Sequence, residues 1–229
     1  VVYSENNKID FINNTIKFES NEDGAVGLLV NNICELFVDE CKFYNCYPSE
    51  QDDHQGGGIE YRFPTKDSAK ESITIQNSEF ESCDGPACAM SIKPKHAHPS
   101  IIGVTISHSR TCYYSLMVMI TSSSSQYSTD GDVLYQNITF LDMENLDSGC
   151  GSGLYFKTTN SNDKLSIIDC KFKDTRILGN DADKFGGGAI GIESKECSNY
   201  DIIISGCTFD NCRSSLYPGG GIAIKTKKS

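Results

Sequence analysis

No stretch of this chain approaches the ~18 consecutive apolar residues that a membrane-spanning helix needs. The longest candidate, Tyr113–Ile120, is far too short. Basic residues are also few: 20 Lys and Arg stand against 31 Asp and Glu, a net charge of −11. A nucleic-acid binder would carry basic clusters, and an anionic membrane would repel such a chain, so both are excluded as partners. No C-x-x-C pair occurs, which removes a zinc ribbon. The first residue is Val1, with no initiator Met and no leader-like run after it, as expected of a processed chain or an excised segment.

Cysteine, by contrast, is plentiful: eleven in 229 residues. That usage points to an oxidising compartment, hence an extracellular or cell-surface location. The pairs Cys41–Cys46, Cys83–Cys88 and Cys207–Cys212 each enclose four residues. Two readings stand side by side, small buried core residues or disulfides, and the odd total leaves at least one thiol unpaired within the segment.

A repeat organises everything else. Aligning segments on Phe18, Phe43, Phe80, His108, Phe140, Phe172 and Phe209 gives spacings of 25, 37, 28, 32, 32 and 37 residues. Seven residues before each anchor the chain is apolar (Phe11, Leu36, Ile73, Ile101, Val133, Leu165, Ile202), and one residue before it is polar. Apolar residues two apart within each half of the motif signify strand. The three-residue step between the halves requires a bend, and Asn77, Asn137, Asp169 and Gly206 at that point suit left-handed backbone. A third strand follows a variable loop, as in Gly58-Ile-Glu-Tyr61, Gly153-Leu-Tyr-Phe156 and Gly188-Ala-Ile-Gly-Ile192, often after a Gly run that lets backbones approach closely.

Three short strands per coil, seven times, predict an all-β fold: a parallel β-helix, or solenoid, of about seven three-strand coils. Stacking buries what one coil cannot. No linker or composition shift divides residues 1–229, so a single domain is expected, either a segment of a longer solenoid or one whose ends are covered by neighbours.

The repeat resembles that of the chlamydial polymorphic membrane proteins, which carry F-x-x-N and G-G-A-[ILV] motifs along an extracellular passenger of the pectin-lyase-like right-handed parallel β-helix superfamily. Related Cys-containing repeats occur in surface proteins of protists. Phe18-Glu-Ser-Asn21 matches the first motif and Gly187-Gly188-Ala189-Ile190 the second. Phe43…Cys46, Phe80…Cys83 and Phe209…Cys212 carry Cys in place of Asn. The resemblance implies a secreted or surface segment with a structural or adhesive role and no catalysis.

The rival reading on the same fold is a polysaccharide lyase or glycoside hydrolase. Such chemistry needs paired carboxylates or a positioned base. Of the polygalacturonase-like set only Asp52-Asp53 is present, and the arginines number four: Arg62, Arg110, Arg176 and Arg213. A groove that gathered carboxylates with Arg, Lys or His would favour the enzyme. The acidic stretches Asn21–Asp23, Asp130–Asp132 and Asn180–Asp183 and the pair His96 and His98 read as solvated loops, and no catalytic, cofactor or metal set is assigned. Expected partners are copies of the chain or neighbouring surface or filament proteins, with carbohydrate a further candidate.

Three expectations name residues. Cys46–Cys83 and Cys170–Cys207 share registers in adjacent coils, ~4.8 Å apart and within disulfide reach, the first pair being favoured. Asn13 and Asn137 head N-glycosylation sequons. Six residues before the anchors, Ile12, Phe37, Ile102, Leu134 and Ile203 form an outward apolar stripe suited to lateral contact.

Overall fold

The computed structural model describes residues 8–17, 26–31, 35–46, 57–62, 72–94, 99–121, 132–146, 151–159, 164–178, 187–195, 201–215 and 220–227. All the regular structure among them is strand, and every strand pairing is parallel. The first strands of the seven coils, from Lys8–Ile12 through Glu35–Asp39 to Asp201–Ser205, stack in sequence order into one seven-stranded sheet. The second and third strands stack likewise and join at their long members, Thr139–Asn145 and Arg110–Thr121. This is the expected all-β parallel solenoid.

The alternation within each strand decides which side chains enter it. Along Glu35–Asp39, Leu36 and Val38 are buried while Glu35 and Phe37 point outward. The same pleat holds for Ile73 and Ile75, Val133 and Tyr135, Leu165 and Ile167. In the second strands Phe43, Phe80, Phe140 and Phe172 are buried and stacked face to face, with ring centroids 4.7 Å apart for Phe43–Phe80 and 4.8 Å for Phe140–Phe172. The third strands contribute a continuous row of Leu28, Ile59, Met90, Leu116, Leu154 and Ile190. Before Leu28, Ile59 and Leu154 the chain has glycine, because the aromatic ring of the next coil (Phe43, Phe80, Phe172) occupies the space a Cβ would need. At Gly58 an added Cβ would lie 2.5 Å from Phe80 Cδ1 and 2.6 Å from the Ala89 carbonyl oxygen.

Two corners shape each coil. The first has left-handed backbone at Asn13, Glu40, Asn77, Gly103, Asn137, Asp169 and Gly206; the second at Asn45, Ser82, His108, Asp142, Asp174 and Asn211. In every described coil holding both, the two corners are five residues apart. A small or medium residue follows each corner and, apart from the exposed Asn14, turns inward. Some of these residues bond nearby carbonyls: Cys41 Sγ donates to those of Asp39 (3.1 Å) and Phe11 (3.2 Å), and Ser78 Oγ to that of Gln76 (2.7 Å).

Two coils differ from the sequence alignment. In the fourth coil Ile106, not His108, pairs with Phe80 and Phe140. His108 lies instead at the second corner with φ 52° and an exposed side chain. In the first coil Ile16 is the partner of Phe43, and Phe18 lies outside the described residues. Both slips are of two residues. A two-residue slip preserves the inward and outward faces of a strand, so the polarity pattern did not expose it. The corrected outward row reads Asp10, Phe37, Thr74, Ser100, Leu134, Ser166 and Ile203. Ile12 faces Asp39 and Ile102 faces Gln76, two positions along, so the apolar stripe is interrupted by polar residues in four of seven coils.

Candidate functional site: a charged trough along the second corner

The second corner brings together side chains that are distant in sequence. Two residues beyond each left-handed position, the chain emerges from the inward turn and points outward again. The residues at that step are Asp84, Arg110, Glu144, Arg176 and Arg213, one per coil. With the corner residues Asn45, Ser82, His108 and Asp142, the first four line an open groove of about 530 Å³.

Its charges interlock from coil to coil. Arg110 Nε lies 3.5 Å from Glu144 Oε2, and Arg176 Nε 3.2 Å from Glu144 Oε1. Arg176 Nη2 reaches Asp142 Oδ1 at 3.4 Å. At the other end the Arg110 backbone N–H donates to Asp84 Oδ1 at 2.7 Å. Burial pushes the Asp84 carboxyl above its ordinary range, and the nearby Arg110 only partly offsets this. Arg110 is the most open of the ion-paired side chains, 70 % exposed. Strands in register at ~4.8 Å make such an alternating ladder the natural arrangement of opposite charges on a parallel stack.

Across these coils the chemistry of the trough is mixed. It offers donors from Asn45, Ser82, Arg110 and Arg176 and acceptors from three carboxylates. A family model for the right handed beta helix region matches residues 26–229. The chain belongs to the right-handed β-helix family. No curated protein and no solved structure matches it.

Within this β-helix the residues singled out from sequence fall as follows. Arg110 and Arg176 meet in the trough with His108, the gathering that sequence could only name as a discriminator. Arg213 stands one coil further on, beside Arg176. Arg62 is elsewhere, on the third face, where its Nε pairs with the fully buried Glu60 at 2.7 Å. Asp52-Asp53, His96, His98, Asn21–Asp23 and Asn180–Asp183 lie outside the described residues. Among the described residues no group of three or more His, Cys, Asp or Glu is placed to hold a metal ion, and no helix is long and apolar enough to cross a membrane.

The cysteine candidates all occupy inward positions after corners, and all are thiols in this structure. Cys46 and Cys83 follow the second corner of adjacent coils; Cys83 Sγ donates to the Phe43 carbonyl at 3.5 Å and Cys46 Sγ to that of Tyr44 at 3.5 Å. Cys170 and Cys207 follow the first corner. Burial, together with the neighbouring Cys207, pushes the Cys170 thiol up to about 12. Asn13 and Asn137 are themselves first-corner residues with exposed side chains.

The second corner was missed from sequence, although a signal was present. Two residues after every anchor from Phe43 onward, with Ile106 as the fourth, stands Asn, Asp, Ser or His, and one further a residue that turns inward: Phe43-Tyr-Asn-Cys46, Phe80-Glu-Ser-Cys83, Phe172-Lys-Asp-Thr175 and Phe209-Asp-Asn-Cys212. Asx and Ser followed by a small residue is turn chemistry.

Proposed function

We propose that this β-helix is a non-catalytic extracellular solenoid with a structural or adhesive role at a cell surface, in a filament or in a coat. The observation that carries the reading is the mutual engagement of the trough's charges. Glu144 grips two guanidiniums and Arg176 spans two carboxylates, so the ladder ties successive coils together. A wall of stacked strands cross-tied in this way suits load and contact. The abundance of cysteine and the resemblance to polymorphic membrane proteins support export. In this reading Asn137 and Asn13 are glycan acceptors and Cys46–Cys83 is a cross-link formed on oxidation.

A second reading, a polysaccharide lyase or glycoside hydrolase, is favoured by one observation. Asp84, its carboxyl raised by burial, shares the trough with His108, Arg110 and Glu144. An acid of raised pKa near a second carboxylate is the pairing that glycoside cleavage uses.

One experiment separates the two. The purified chain is incubated with a panel of acidic and neutral polysaccharides and assayed for new reducing ends and unsaturated sugars, and in parallel for retention on immobilised glycans and matrix proteins. Retention without cleavage is expected. Cleavage that disappears in Asp84→Asn and Glu144→Gln, with the fold retained, would overturn the structural reading in favour of the enzyme.

A further inference from the structure

The third to sixth coils, each with a described coil on either side, set one outward side chain apiece along the trough: Asp84, Arg110, Glu144 and Arg176. Their signs alternate, minus, plus, minus, plus, at the ~4.8 Å step of the stack. A row of one sign repels a copy of itself. This row, turned end for end, is its own complement. Nor is its bonding capacity used up within one molecule. The Arg110 guanidinium pairs only with Glu144, at 3.5 Å, and the exposed His108 imidazole has no ion pair or hydrogen bond among the described residues. Asp84 receives the Arg110 N–H on Oδ1, which leaves Oδ2 as an acceptor. Leu146 and Leu178 stand two residues beyond Glu144 and Arg176 and are 48 % and 46 % exposed, so covering the strip also removes apolar surface from water.

We propose that the trough is a two-fold contact between two copies of this chain, laid side by side with their solenoid axes antiparallel. The two-fold axis runs in the contact plane, across the stack, between the fourth and fifth coils. It sets Arg110 opposite Glu144 of the second copy, and Asp84 opposite Arg176 of the second copy, and each of these pairs occurs twice. The corner row follows the same operation. His108 meets Asp142 of the second copy and Ser82 meets Asp174, so both corner carboxylates face a side chain that can donate.

The alternation fixes the register as well as the partner. A slip of one coil, or parallel axes, sets Arg on Arg and carboxylate on carboxylate. An unrelated chain or a glycan would meet the mixed signs of the trough without this match, which is the argument for a second copy. The contact is isologous and closes at two molecules. Four coils by two residues make a small strip, below the area of a permanent complex, so the dimer is weak and reversible. Screening beyond about 8 Å at physiological ionic strength removes most of the long-range repulsion between two bodies of net charge −11. The pairing names a partner for the trough and rests on its reading as a structural strip and not a catalytic one.

The test is charge exchange in the 229-residue chain, read by sedimentation velocity over a range of concentrations at physiological ionic strength. The unaltered protein is expected to show a reversible monomer–dimer equilibrium. Arg110→Glu and Glu144→Arg, made separately, each set like charges across both central pairs and should dimerise roughly tenfold more weakly or worse. An equal mixture of the two restores an Arg–Glu pair on both sides of the axis, and dimers holding one of each should return. That recovery also shows that neither variant had lost its fold. Variants that associate as well as the unaltered chain, or a mixture that fails to recover while both components keep their strand signal in circular dichroism, overturn the pairing. An unaltered chain that stays monomeric and cleaves no polysaccharide overturns the pairing and leaves the non-catalytic reading standing; one that pairs as expected and also cleaves does the reverse.

Discussion

Truncating Phe172 to Ala strikes the interior at its most heavily stacked point. The ring is almost fully buried and lies between two others, 4.8 Å from Phe140 and 5.1 Å from Phe209, with interplanar angles of 7° and 2°. Removing a buried Phe side chain costs about 3–5 kcal/mol. Each stacked ring pair adds about 0.5–1.5 kcal/mol beyond burial. With two pairs lost, Phe172→Ala is expected to cost about 4–8 kcal/mol. Phe80 supplies the control. It stacks on Phe43 at 4.7 Å, but its other register neighbour is Ile106. Phe80→Ala loses one ring pair and should therefore cost about 1 kcal/mol less. Urea denaturation followed by far-ultraviolet circular dichroism and by tyrosine fluorescence measures both. Agreement of the two probes establishes that unfolding is all-or-none, a necessary check in a stack of coils. Whole domains are stable by only about 5–15 kcal/mol, so Phe172→Leu and Phe80→Leu provide a milder pair in which the same ordering must appear. Equal costs at the two positions, or the reverse order, would refute the claim that ring stacking along the axis adds to burial.

Gly58→Ala is expected to destabilise by about 1–3 kcal/mol, since its Cβ would meet both the Phe80 ring and the Ala89 carbonyl; thermal denaturation reads it. Glu40→Asn is expected to stabilise by about 0.5–1 kcal/mol, because Glu40 has φ 51° at an exposed corner and Asn tolerates that backbone; the urea midpoint checks it. Asp84 has a folded pKa raised by burial, so its contribution to stability is complete below its unfolded value of 3.8 and fades as pH rises through the folded value; relative to Asp84→Asn the unaltered chain should gain stability on acidification, seen in urea midpoints across pH. Alkylation at neutral pH should modify the half-exposed Cys207 well before Cys170, whose thiol is held up at about 12, and non-reducing peptide mapping after oxidation should join Cys46 to Cys83.

The coil itself was legible because two independent periodicities agree. Apolar residues two apart mark the strands, and the recurring Phe marks the coil, so five of seven anchors, Phe43, Phe80, Phe140, Phe172 and Phe209, are in the register the structure shows. The first and fourth coils escaped because Ile16 and Ile106 fill the slot with an aliphatic side chain, while Phe18 and His108 two residues later drew the alignment. Parity survives a slip of two, which is why the error reached the outward row and placed Ile12 and Ile102 in a stripe they do not join. The trough was out of reach for a different reason. Its members are 26 to 34 residues apart in sequence, and only the stacking of second corners makes Asp84, Arg110, Glu144 and Arg176 neighbours. Sequence alone named Arg110 and Arg176 among four arginines, without their partners.

The constant five-residue distance between corners has a consequence for how such a molecule changes over time. Successive anchors from Ile16 to Phe209 are 27, 37, 26, 34, 32 and 37 residues apart, yet the strand–corner–strand–corner unit keeps one length in the six coils where both corners are described. Every added or deleted residue has therefore been absorbed in the connections that enter and leave the third strand. The frame and its decorations are separable. A lineage can lengthen, shorten or exchange one connection without shifting the phase of the coil above or below. By the same property, a foreign peptide grafted into one connection would be displayed from a scaffold whose neighbouring coils do not register its presence.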